Sequence, residues 1–407
     1  MLHKFYTHKL KNSLEVIAIP IKGSNVITSN IFYKVGSRNE ILGKTGIAHM
    51  LEHMNFKSTK NLQEGEFDEI VKSLGGVDNA STGFDYTHYY IKTSSNYLDK
   101  TFELFSEVME NLNLNEDEFE RERKVVYEEF LWRVENNPMG YLYFKLFNNT
   151  FVYHPYHWTP IGFKEDILNW TINDIKEFHK TYYQPKNAFL LVAGDIDVDE
   201  VFNKANKYFS HIKNKKPLPK FHFKEPPLDG DKFIEIKRKT EVDMVAIAYK
   251  IPNFKHKDQV ALSAYSEVLS GGKSAILREN LINKKQLVSE VYAYNMELKD
   301  EGIFLALAIC NPGVNPKKVE KELKKEILNT KITKKMLKKI INQTKMDFLT
   351  HLESSLDVSN IYGDYFAKGD ITPLLEYEEN INSLTTKDIE EIKKYFQNSV
   401  TLYLIKN

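Results

Sequence analysis

The chain has 407 residues, too many for one ordinary hydrophobic core, so two domains are the expectation. Lys plus Arg number 56 and Asp plus Glu number 56, and that zero formal charge argues against a general nucleic-acid or polyanion binder. A single cysteine, Cys310, excludes an intrachain disulfide and a cysteine zinc finger and suits a reducing compartment.

The N-terminus, MLHKFYTHKLKNSLEVIAIPI, lacks the long apolar stretch of a secretory signal. The reading is cytoplasmic, although an exported chain with its signal removed would look the same. Strands are expected at Leu14 to Ile21 and Val26 to Lys34, then helices at about Thr45 to Phe56 and Gly65 to Leu74. Two strands follow through Thr82 to Lys92, then helices at about Tyr97 to Leu112, Glu116 to Val134 and Tyr141 to Phe147. Ala188 to Ala193 and Ile303 to Cys310 are the longest apolar runs, far short of the roughly 20 residues of a membrane helix.

The segment 214–231, rich in Pro and Lys, reads as a linker between residues 1–213 and 232–407. The two parts echo each other. At an offset of 214, Thr171, Asp174, Ile175, Glu177 and Lys180 meet Thr385, Asp388, Ile389, Glu391 and Lys394. At an offset of 216, Ile31, Tyr33 and Lys34 meet Ile247, Tyr249 and Lys250. The fold class expected is α+β, two homologous α/β-sandwich halves of about 210 residues from internal duplication.

The sharpest chemical feature is TGIAHMLEHMNF from Thr45. His49 and His53, four residues apart, share one face of a helix and can grip one ion, with Glu52 beside them. H-x-x-E-H is the inverse of the common H-E-x-x-H zinc signature. In that chemistry two neutral imidazoles hold Zn²⁺ and a carboxylate that is not a ligand takes the proton of an activated water; the alternative is a helix with two surface histidines. A further ligand must come from elsewhere. In FERERKVVYEEFLWRV from Phe119, Glu122, Val125, Val126 and Glu129 share one helical arc, which puts two carboxylates on an apolar face.

H-x-x-E-H at His49 followed by E-R-K-V-V-Y-E-E at Glu122 resembles the pitrilysin family of zinc peptidases, in the branch of the mitochondrial processing peptidase and its bacterial relatives. VGSRNE at Val35, EHMNFKST at Glu52, LGGVDNASTGFDYTHYY at Leu74 and HPYHWTPIGFKEDI at His154 are similar to family signatures in the same order. The resemblance implies that His49, His53 and Glu129 bind one Zn²⁺, that Glu52 is the general base, and that Glu122 supports the site. It also implies that Asn79, Ala80 and Ser81 lie on an edge strand against which an extended peptide pairs. In the second half His49, Glu52 and His53 align with Tyr265, Val268 and Leu269, so no second metal site is expected.

One departure bears on partners. Active relatives that work alone carry an Arg and, seven residues on, a Tyr in the second half; here Ile282 and Ser289 fall at those positions, and seven residues after Arg278 stands Lys285. The expectation is a zinc-bearing endopeptidase subunit that cuts short or unfolded peptides in a two-chain chamber with a homologous Arg/Tyr-bearing partner. A homodimer stays open, as does substitution by Tyr292 or Tyr294. The alternative is a non-catalytic scaffold or peptide-binding subunit of the same fold. His154 and His157 flank Pro155 and read as loop residues, and Gly75-Gly76 and Gly271-Gly272 read as turns.

Overall fold

In the computed structural model, which describes residues 2–407, the first unit takes residues up to Phe130, Trp158–His222 and Leu349–Ile371. The second takes Leu131–His157, Phe223–Phe348 and Thr372–Asn407. In chain order come β1 (Tyr6–Lys9), β2 (Glu15–Pro20), β3 (Val26–Tyr33), α1 (Ile47–Met54), α2 (Glu66–Ser73), β4 (Val77–Thr82) and β5 (Thr87–Ser94). After them come α3 (Leu98–Asn111), α4 (Glu116–Phe130), α5 (Pro138–Thr150), α6 (Lys164–Asn169), α7 (Ile172–Tyr182), β6 (Ala188–Gly194) and α8 (Val198–Phe209). Beyond an irregular stretch lie β7 (Lys232–Arg238), β8 (Met244–Ile251), α9 (Gln259–Ser270), β9 (Val288–Met296), β10 (Gly302–Cys310), α10 (Pro316–Asn329), α11 (Lys334–His351), α12 (Ser355–Lys368) and β11 (Val400–Lys406).

The first unit holds a six-stranded sheet in the order β1-β2-β6-β3-β5-β4. Its central strands lack polar alternation because both faces are covered. Thr28 of β3 bonds Ser355 of α12 on one face, while its neighbour Ser29 bonds Thr101 of α3 on the other. Phe32 stacks on Phe189 on the α12 side, where Gly363 leaves room for the Phe32 ring. At the sheet edge β4 alternates between exposed and half-buried positions.

The second unit holds a five-stranded sheet in the order β7-β11-β8-β10-β9. The duplication is visible in this order. β3 lies between β6 and β5 as β8 lies between β11 and β10, and β2 runs parallel to β6 as β7 runs parallel to β11. The repeated helices, Ile172–Tyr182 (α7) and Thr386–Glu391 before β11, open on the same reciprocal cap. Thr171 and Asp174 bond each other's backbone N–H, and Thr385 and Asp388 do the same.

The units do not follow the division at 213 and 232. α4 ends at Phe130 in a π-helical turn, Leu131–Glu135, and from there the chain belongs to the second unit through α5 until His157. α12, at about the repeat offset from α5, returns to the first unit. Equivalent helices are thus exchanged. The expected linker is also anchored at its far end: buried Glu225 accepts from Val152 N, Tyr153 N and His154 N at 2.8–3.0 Å and binds Lys250 at 2.8 Å, all within the second unit. No helix among the described residues is long and apolar enough to cross a membrane.

Candidate active site

α1 begins without a side-chain cap of its own. Gly46 occupies the N-cap with φ +82°, and the orphan N–H groups of the first turn go to a remote acid: Glu40 accepts from Gly46 N and from Ala48 N, both at 2.8 Å. Thr45 is clamped as well. Its N–H and hydroxyl donate to Asp166 of α6 at 2.9 and 2.6 Å, its hydroxyl accepts from Phe163 N, and its carbonyl accepts from Trp170 Nε1. The helix that carries both histidines is therefore held by residues from either side of it in sequence.

Gly46 has a specific steric reason. A Cβ there would lie 2.5 Å from the Ile161 carbonyl oxygen, on a backbone that L-residues avoid. Gly46→Ala is expected to cost more than the ~1–2 kcal/mol of a left-handed non-glycine residue, because backbone must also move. Gly43, with φ +91° and open space around its Cβ, supplies the control. Thermal unfolding of both alanine variants checks this, and equal midpoints would contradict it.

His49 and His53 share the face of α1 turned to α4. Their Nε2 atoms stand 3.3 Å apart, and Glu129 Oε2 lies 3.6 Å from the first and 3.4 Å from the second. Ligand atoms about 2.1 Å from a tetrahedral zinc stand about 3.4 Å from each other, so this triangle has the size of one face of such a site. Among the described residues these three side chains form the trio of His, Cys, Asp or Glu donors that could hold a metal ion. The geometry and the donor set fit zinc.

Glu122 sits one layer out. His53 Nδ1–H donates to its Oε1 at 2.7 Å, which leaves Nε2 turned toward His49 and Glu129. Lys57 Nζ binds its Oε2 at 2.7 Å and reaches Glu64 at 3.1 Å. Burial opposes ionisation of Glu122, but the bonds and charges of His53 and Lys57 outweigh it and hold the carboxyl below its ordinary range. Burial likewise pulls His53 down, yet its two carboxylate partners raise it to about 9. The helical arc needs one correction: Glu118, Phe119, Glu122, Val126 and Phe130 are buried, while Val125 is exposed. The buried stripe is centred slightly away from Val125.

Glu52 also lies on α1, and Thr82 at the end of β4 donates its hydroxyl to Glu52 Oε2 at 2.5 Å. Asn79, Ala80 and Ser81 precede Thr82 on the same edge strand. Gly83 N donates to Tyr86 O, so by period-two alternation Ser81 and Asn79 turn their amides to β5 while Asp78, Ala80 and Thr82 turn theirs to the open edge. The Ala80 N–H is meanwhile covered by the Asn79 side chain at 2.9 Å.

Glu40, Thr45, Lys57, Thr82 and Asp166 all lie in the quoted signature blocks, yet no local spacing marks them as supports of the site. In the second unit, Tyr265, Val268 and Leu269 are core residues of α9. Ile282 packs against the core and Ser289 is exposed on β9. Tyr292 and Tyr294 are exposed on the same edge strand, Tyr292 donating to Glu290 at 2.6 Å. His154 bonds Asp300, His157 bonds the Phe151 carbonyl, and Gly75 has φ +67° in the turn closing α2. Cys310 is buried in β10, where burial pushes its thiol up to about 12.

Residues 16–155 match the family described as Insulinase (Peptidase family M16), and residues 169–346 match Peptidase M16 inactive domain. The chain is similar to the zinc protease PqqE of Helicobacter pylori, with 49% identity covering 99% of this chain and 93% of that one. A crystal structure of a protease from Helicobacter pylori superposes with a TM-score of 0.97 at 48% identity, covering all of both chains. The mitochondrial-processing peptidase subunit beta of Pongo abelii is 26% identical, covering 94% of this chain and 80% of that one.

Proposed function

The chain belongs to peptidase family M16, and from that premise we propose that it is a zinc-dependent endopeptidase acting on extended or unfolded peptide segments. The observation that carries the reading is the triangle of His49, His53 and Glu129 with Glu52 alongside on α1. Zinc, when bound, supplies a positive charge that polarises a scissile carbonyl and lowers the pKa of water. The rest falls to the chain's own residues. Glu52 takes the proton of the attacking water and delivers it to the leaving amine. Glu122 holds the His53 tautomer. The outward amides of β4 pair with the substrate as an added strand, which restricts it to peptide that is already extended.

Glu122→Gln keeps a hydrogen-bond acceptor but removes the charge facing His53 and Lys57. Zinc affinity is expected to fall by roughly 10- to 100-fold, the usual scale for partners that orient a ligating histidine. Chelator competition measures it, and an unchanged affinity would remove Glu122 from the site.

The proposal extends to a partner. Ile282 packs inward and Ser289 carries only a hydroxyl, so an Arg/Tyr pair for the substrate carbonyl would come from a second, homologous chain. A relative named as a peptidase subunit supports this reading. The test is peptide cleavage by zinc-loaded protein, alone and with an Arg/Tyr-bearing homologue, with Glu52→Gln as control. Turnover in the mixture alone supports the split site. Turnover by the chain alone keeps the zinc chemistry and removes the partner. Zinc-loaded protein without turnover in either case favours a scaffold or peptide-binding subunit.

A further inference from the structure

Thr82 makes two kinds of contact from one residue. Its hydroxyl donates to Glu52 Oε2 at 2.5 Å. Its main chain, by the alternation that follows from Gly83 N bonding Tyr86 O, faces the open edge of β4.

The residue is also held firmly. Just beyond it, the Gly83 and Phe84 carbonyls accept from Ser37 N at 3.2 Å and Arg38 N at 2.9 Å. Thr82 itself lies opposite Thr87, whose hydroxyl donates to the Val35 carbonyl at 2.9 Å. A β-branched side chain has few χ1 choices, so the anchored backbone dictates where the hydroxyl points. Glu52, by contrast, stands on a helix and has three rotatable bonds. A donor on one carboxylate oxygen removes much of that freedom and sets the plane in which the other oxygen meets a proton.

We propose that Thr82 is a positioning residue that locks the Glu52 carboxylate in register with a peptide paired along β4. This rests on the endopeptidase reading above and deepens it: strand pairing and proton transfer share one residue. A peptide bound one register out would still be held by main-chain bonds but would place a different bond before Glu52.

The experiment compares Thr82→Val, which keeps the shape and removes the donor, with Thr82→Ser, which keeps the donor. The probe is an internally quenched mixture of unstructured decapeptides, with zinc content and thermal midpoint checked for each protein. In Thr82→Val, kcat is expected to fall on the order of 10- to 100-fold while KM stays within about 3-fold, the scale for losing a hydrogen bond to a charged group in the reacting state. Thr82→Ser is expected to recover most of the loss. A Val variant with normal kcat, a change confined to KM, or a Ser variant no better than Val would each overturn the proposal. Crystal structures of the wild-type and Val proteins with zinc provide a readout without turnover: the Glu52 carboxylate is expected to leave its single orientation in the Val protein. If it stays in place the positioning role fails, and that result is separate from any failure of the wild-type chain to cleave peptides.

Discussion

Glu52→Gln is expected to abolish turnover while leaving zinc bound. The substitution keeps the size of the side chain and an oxygen to accept from Thr82, so α1 and β4 need not move. What it removes is the group that can receive a proton. Positioned general bases contribute roughly 10²- to 10⁴-fold, and in the proposed mechanism the same carboxylate takes the proton and returns it, so the upper part of that range is expected in kcat. KM is expected to change little, because in the proposed mechanism β4 and not Glu52 holds the peptide. The measurement is steady-state cleavage by protein of verified zinc content. More than about a tenth of wild-type kcat with zinc retained would remove Glu52 as the base.

The parts of the site that were legible in the sequence are those governed by short spacing. Two histidines four apart must share a helix face, and Glu122 and Glu129, seven apart, must share another. The duplicated fold was legible because an N-terminal helix cap is a local signal that survives in both copies. The supports of the site were not legible, because each acts at a distance. Glu40 caps a helix that starts seven residues later, and Asp166 reaches Thr45 from a different helix. No local capping rule finds either. The exchange of α5 and α12 escaped for a related reason. A helix's apolar face states that it needs a sheet, not which of two similar sheets it will cover, and the break at Leu131–Glu135 carries no proline or glycine to announce it.

Glu129→Gln is expected to cost the metal itself, and its pH dependence separates a ligand from a neighbour. In the metal-free chain burial lowers the His53 pKa, but Glu122 and Glu129 together raise it to about 9. At neutral pH the ring is then protonated, and a protonated imidazole has no lone pair for zinc. Metal must displace that proton, so zinc affinity should rise by up to about tenfold per pH unit from pH 7 and level off near pH 9. Removing the Glu129 charge acts on both terms. One of the three donors weakens, so affinity at high pH should drop by on the order of 10²-fold, more than for Glu122→Gln. One of the two carboxylates that hold the His53 proton also disappears, so the levelling point should move down toward the ordinary histidine range. Competition against a chromophoric chelator across pH 6 to 10 reads both changes. A wild-type affinity that is flat between pH 7 and 9 would mean that zinc does not compete for the His53 proton. A Glu129→Gln protein with full affinity would leave the metal to the two histidines alone.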